Sequence, residues 1–313
     1  MAQIFYVNPT TGSDSADAGS QSKPFKTISF AIKQATSGTT IQLAAGDYTA
    51  GSGEIFPLTV PAGVTVVGNE TNKGNGFFIQ GSGTYTSPTF AGQNVTFVLG
   101  NNVYLGGVTV SNPGLRGTAV WIESTNPTVA NCTFTKNKRE GVFATGTANP
   151  IIVGNVFLEN DANGVSIAKD TKGEIKGNTF SNTGYGITIG DNSTTKVTDN
   201  KLSQNRTGIV ISGNSRPILR NNTSENNTDD GVTVIGTALP DLGTTADPGG
   251  NILRSNTQYD LQNATSNKIS AIGNQIDAAK VKGLVDLGQV TPPTVVLTDI
   301  ANHWASAFIQ PLV

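Results

Sequence analysis

The sequence holds one histidine, His303, and one cysteine, Cys132. Multi-histidine metal centres are thereby excluded, and with them nearly every Ser/His or Cys/His catalytic arrangement. A lone thiol closes no intramolecular disulfide. Charge is scarce as well: Asp, Glu, Lys and Arg make up 13% of the chain, with a formal net charge of −2. No block of Lys and Arg is present, so the electrostatic footprint of a nucleic-acid binder is missing and nucleic acid is not an expected partner. No apolar run is long enough to cross a bilayer, and the opening MAQIFYVNP lacks the basic and apolar regions of a secretory leader. No membrane span is expected.

What the chain has in quantity is glycine, 37 residues of it, with Asn, Thr and Ser besides. Neutral polar residues must then cover most of the surface, a composition that suits turn-dense β-structure better than helices. At 313 residues and 36% hydrophobic content, the chain can bury a sizeable core.

Repeats give the architecture. Glycine or alanine precedes an apolar residue at Ala119-Val120, Gly141-Val142, Gly164-Val165, Gly186-Ile187, Gly208-Ile209 and Gly231-Val232, a step of 22 or 23 each time. A second file runs Cys132, Asn155, Asn178, Asn200, Asn222 at the same step. Asn256 is expected to continue it after an insertion at about 237–250, and Asn274 to follow. Helical repeats are longer, and the leucine-rich pattern is absent. Short alternating stretches such as GVSIA, GITIG and GIVIS read as strands with one inward face. The period predicts an all-β parallel β-helix in which residues one coil apart stack at about 4.8 Å.

Val120, Val142, Val165, Ile187, Ile209 and Val232 should then form one inward column, and Phe134, Phe157, Phe180 and Leu202 another. Asn155, Asn178, Asn200 and Asn222 form a structural ladder of amide hydrogen bonds, with glycines supplying backbone angles closed to other residues. PFKTISFAIKQA predicts an amphipathic helix over about 24–35 that caps the open end, with Pro24 in its first turn, Ser22 as cap, and Phe25, Ile28, Ile32 and Ala35 on one face.

The stretches YVNPTTGSDS, SKPFKTISFAIKQATSGTTIQLAAGDY and FPLTVPAGVTVVGNE resemble the opening of the DUF1565 family within the pectate-lyase-like, right-handed parallel β-helix superfamily. The likeness covers about residues 4 to 290, and cyanobacterial members resemble the chain in WIESTNPTVANCTF, EGVFATGTANP and PDLGTTADPGGNILR. LTDIANHWASAFIQPLV, from Leu297, resembles the first part of an S-layer homology (SLH) domain, which attaches proteins to cell-wall polymers. His303 and Trp304 are motif residues of that segment. The expected organisation is a β-helix over 1–290, then a Pro-containing linker and incomplete SLH-like segment over 291–313.

Lyases of this superfamily hold Ca²⁺ with acids from neighbouring coils and use Lys or Arg as base; its inverting hydrolases use a set of Asp residues. Down the columns here no acidic ladder forms, so no residue is assigned as a metal ligand and no cofactor is expected, Ca²⁺ being the one ion the resemblance brings in. The weak catalytic candidates are Glu140, Arg139, Asp229 and Asp230; Asp229 and Asp230 stand just before the 237–250 insertion, and Asp229 should stack over Arg206 as Glu174 does over Lys196. Trp121 and Phe143 fall in one outward column with Glu123 and Lys138 nearby, an arrangement that can stack and hydrogen-bond a sugar when exposed, or lie under a covering loop. Three functions are compatible with these residues. The leading one is a non-catalytic cell-surface module, extracellular or periplasmic, that binds or is displayed against a polysaccharide or protein partner. The others are a lyase or hydrolase of an acidic polysaccharide and a structural spacer or fibre subunit.

Overall fold

A computed structural model describes residues 3–288. The central coils each contribute one strand to each of three parallel sheets, visited in the order A, B, C. Sheet A has nine strands, from Ile4–Val7 to Ile218–Arg220. Sheet B has ten, from Gly46–Thr49 to Gln275–Ile276. Sheet C has ten along its main path, from Leu58–Val60 to Val281–Lys282, and an eleventh, Gly83–Ser87, off that path. This is the expected right-handed parallel β-helix.

Registers confirm the columns. Val120 pairs with Val142, then Val165, Ile187, Ile209 and Val232 in sheet C. Phe134, Phe157, Phe180 and Leu202 do the same in sheet B. All are buried in one continuous core. Phe157 and Phe180 stack with ring centroids 4.7 Å apart and planes 5° from parallel. Such contacts add to the hydrophobic gain of burial.

The bends between sheets A and B carry the expected Asn ladder. Asn155 donates from Nδ2 to the Val129 carbonyl at 2.9 Å and to Asn178 Oδ1 at 3.0 Å, while its backbone N–H reaches the same Oδ1 at 2.8 Å. Cys132 begins the ladder by donating its N–H to Asn155 Oδ1. After Asn222 the ladder passes to Asn251 and Asn274, so Asn256 is not its continuation. Asn256 instead belongs to a second ladder at the bends between sheets B and C, which runs through Asn137, Asn160, Thr183, Asn205 and Asn227. In both ladders the residue before the Asn adopts the left-handed conformation. In the first it is Gly154, Gly177, Asp199, Asn221 and Gly250, and in the second Lys136, Glu159, Gln204 and Asn226.

Two expectations are corrected here. The glycines before the inward column, such as Gly164 and Gly186, do not have positive φ. A Cβ on Gly164 would lie 2.4 Å from Phe180 and one on Gly186 2.6 Å from the Gly208 carbonyl, so close approach is what excludes a side chain. The capping helix, α1, is Ile28–Gln34 and not 24–35. The Asp14 carboxylate holds Lys26 and Thr27 by their N–H groups, Thr27 caps the helix, and Phe25 bridges to Val7 in sheet A. Pro24 and Ser22 precede the helix and have no part in it. The boundary expected at 290/291 and the SLH-like segment lie outside the described residues.

Candidate functional site

The residues singled out from the sequence fall mainly on sheet C and the corner that leads to it. Trp121 and Phe143 are stacked one coil apart, centroids 4.4 Å and planes 1° from parallel. Trp121 is 0% exposed, so it is not the open sugar platform that its outward column suggests. A hairpin of Gly83–Ser87 antiparallel to Ala91–Leu99 folds back over the outer face of sheet C and covers it. Glu123 lies beneath the hairpin tip and accepts from Trp121 Nε1 at 3.0 Å.

The four weak catalytic candidates are engaged structurally. Glu140 is buried and accepts from Arg139 Nε at 2.5 Å and from the Thr118 hydroxyl at 2.7 Å. Lys138 pairs with Asp161 at 2.9 Å on the open surface. Asp229 does pair with Arg206, at 2.9 Å. Asp230 is buried and accepts from the Thr233 hydroxyl and the Tyr259 N–H. These aspartates and the insertion occupy different corners: Asp229 and Asp230 join sheets B and C, whereas the extra residues, after Asp241, join sheets A and B. Arg220 ties that loop down through Asp241 at 2.8 Å and Asp247 at 2.7 Å. Among the described residues no group of three or more His, Cys, Asp and Glu converges. Burial pushes the Cys132 thiol up to about 12, so it packs as a small apolar group.

Sheet A carries a feature that the sequence did not announce. A groove of about 700 Å³ runs over its outer face. Its floor is built of two files, each advancing one residue per coil. One comprises Tyr104, Thr128, Ile151, Glu174 and Lys196, in strict register. The other comprises Asn102, Asn126, Asn149, Lys172 and Thr194. Four coil steps of about 4.8 Å make the groove about 19 Å long, parallel to the rod axis. Ile151 is 45% exposed at its middle, an aliphatic surface with amides on one side and charges beyond it. Asn126 donates from Nδ2 to Asn102 Oδ1 at 3.0 Å, which fixes both amides. At one end the Tyr104 hydroxyl donates to Glu70, and burial together with that carboxylate raises its pKa, so it stays protonated. At the other end Lys172 and Lys196 make no salt bridge among the described residues.

The fold is a helix-capped parallel β-helix of the kind found in pectate-lyase-like proteins, with the sheet A groove following its axis. The chain belongs to the family described as "Protein of unknown function (DUF1565)", whose profile matches residues 10–281. Its fold is similar to that of pectate lyase Pel9A, at 16% identity and TM-score 0.59, covering 91% of this chain and 78% of that one. It is similar also to XylC in complex with xylose, at 13% identity and TM-score 0.60, covering 87% and 68%. A third likeness is to the GH136 lacto-N-biosidase from Eubacterium ramulus, at 13% identity and TM-score 0.56, covering 91% and 68%. No curated protein matches the chain. Among the described residues no helix is long and apolar enough to cross a membrane.

Proposed function

We propose that the protein is a carbohydrate-binding rod displayed at the cell surface, with a polysaccharide lying along sheet A, one sugar residue per coil. The observation that carries this reading is the axial groove itself. Its two files set one side chain each per coil, with Tyr104 and Ile151 offering apolar surface and the amides, Thr128, Thr194, Glu174 and the lysines offering hydrogen-bonding groups, and a polysaccharide repeats hydroxyls and C–H faces on a similar length scale. Pectate lyase, a xylose complex and a lacto-N-biosidase on similar folds support a carbohydrate ligand in general. Glu174 is the one carboxylate in the groove lining, whereas glycoside hydrolysis uses a pair, and this favours binding over hydrolysis there.

Display at the surface, extracellular or periplasmic, rests on the sequence alone. Residues from Leu297 resemble the start of an SLH domain, and the likeness to cyanobacterial members of the family points to a source whose surface carries such modules.

Affinity electrophoresis through gels containing neutral or acidic polysaccharides tests the binding. The protein is expected to be retarded by at least one of them and Ile151→Asp to migrate freely, because a charge at the exposed centre of the groove disturbs no core contact. Equal retardation of the two proteins contradicts the assignment of the groove. Steady release of unsaturated products would replace the binding reading with a lyase.

A further inference from the structure

The contacts beneath the sheet C hairpin have the chemistry of a sugar site already filled. Glu123 Oε2 accepts from Trp121 Nε1 at 3.0 Å and from the Ser87 hydroxyl at 2.5 Å, and its Oε1 accepts from the Thr89 hydroxyl at 2.9 Å. Thr89 also shares a hydrogen bond with the Thr145 hydroxyl at 3.0 Å. Phe90, between these two coils, sets its ring edge-on to Trp121 at 6.2 Å and to Phe143 at 5.2 Å. Two hydroxyls on one carboxylate beside an aromatic stack are the groups that a pyranose presents to a protein: adjacent hydroxyls and an apolar C–H face. The Arg139 guanidinium lies 5.7 Å from the Trp121 centroid and 5.6 Å from that of Phe143, at the edge of the same platform.

Only the hairpin tip and its Gly83–Ser87 arm lie off the rod, because Ala91–Leu99 continues as a strand of sheet C between Leu58–Val60 and Gly117–Glu123. The hairpin's apolar contacts, Tyr85, Val95, Val98, Trp121 and Phe143, form a small cluster apart from the main column. Elements held by few apolar contacts open at lower free energy than the core beneath them. Phe90 at the tip is 38% exposed, and a Cβ on Gly92 in the returning strand would meet nothing within 4 Å. The closed form also leaves Gln93, 7% exposed, with Oε1 lacking a protein donor, although its Nε2 donates to the Phe90 carbonyl at 2.6 Å.

We propose that Ser87, Thr89 and Phe90 are an intramolecular stand-in for a sugar residue, closing a second carbohydrate site over Trp121 and Phe143 that a pyranose opens by displacing the hairpin tip. The ligand competes with the closed form, so its apparent affinity falls by the fraction of molecules that are open. This site is on a different sheet from the axial groove, and its occupancy is read at Trp121.

The test uses the full chain with Trp304→Phe, which leaves Trp121 as the sole tryptophan of the two. Thr89→Cys with Thr145→Cys places two thiols where hydroxyls now stand 3.0 Å apart, so oxidation locks the tip and reduction frees it. The probes are a cello-oligosaccharide and an oligogalacturonate. With the thiols reduced, at least one probe is expected to change Trp121 fluorescence; with the disulfide closed, binding weakens about tenfold or more. Ser87→Ala alone is expected to tighten binding relative to the parent. The locked and free forms of one protein share a fold, so their difference does not depend on a variant's stability. No response from either probe in the reduced form, or an equal response when locked, overturns the proposal.

Discussion

One oxygen joins two coils at Asn178 and Asn200. Oδ1 of Asn200 accepts the Asn178 backbone N–H at 2.9 Å and its side-chain Nδ2 at 3.0 Å, while Asn200 Nδ2 donates onward to Asn222 Oδ1 and back to the Ile175 carbonyl. Both residues are buried. Asn200→Leu strands partners on both sides of the bend, and a buried unsatisfied group costs about 1–3 kcal/mol. The total is expected at about 2–5 kcal/mol by urea denaturation. Asn192→Ala, in an exposed hydrogen-bonded file, is expected to stay within about 0.5 kcal/mol. Equal effects for the two would remove the ladder from the account of stability.

Gly186 and Gly177 are glycines for different reasons, and alanine separates them. A Cβ on Gly186 meets the Gly208 carbonyl at 2.6 Å and Leu202 Cδ2 at 2.7 Å, so Gly186→Ala must push adjoining coils apart, at about 1–3 kcal/mol. At Gly177 nothing lies within 4 Å, but φ is +62°, so Gly177→Ala carries left-handed backbone strain of about 1–2 kcal/mol without repacking. Near-ultraviolet circular dichroism checks the distinction: the aromatic stack signal should change for Gly186→Ala and not for Gly177→Ala.

Acidification should strengthen the helix-capped end. Glu54 is buried against α1, accepting from the Ile28 N–H at 2.6 Å and the Ser29 N–H at 2.9 Å. Burial raises its pKa, with the nearby Asp14 charge adding to the rise, despite the opposing pull of those two N–H groups. A carboxyl with a raised folded-state pKa binds its proton more readily in the folded protein. Its contribution to stability is therefore fully present below the ordinary carboxylate range and is lost as pH rises through the raised value. Relative to Glu54→Gln, the wild-type protein should gain stability between neutral pH and that range, measured as the difference in urea midpoints. A difference that stays flat or runs the other way contradicts the burial argument.

Much of the fold could be read from the chain because Val120, Val142 and Val165, or Phe134, Phe157 and Phe180, repeat a residue type at a constant step. The first Asn ladder was legible for the same reason. The second was not: Thr183 interrupts the file, and the glycine that precedes Asn155 and Asn178 in the first ladder, though not Asn200 or Asn222, has no counterpart before Asn137, Asn160, Asn205 or Asn227. Asn256 was assigned to the wrong ladder because the insertion lengthens its coil, so that Asn251 falls in the position that the constant step gave to Asn256. The covering of Trp121 depended on a hairpin that occurs once and has no period. Nor did the groove repeat a letter. Tyr104, Thr128, Ile151, Glu174 and Lys196 share a place on each coil and no chemistry that spacing alone could expose.

The axial placement of a ligand is tested most directly by affinity against chain length. Isothermal titration with a series of oligosaccharides of one retarded polysaccharide should give a Kd that falls with each added residue until the ligand spans the coils from Tyr104 to Lys196, then levels off. Ile151→Asp should flatten the series. A monosaccharide bound as tightly as the longest chain, or a series unchanged by Ile151→Asp, would contradict binding along the rod.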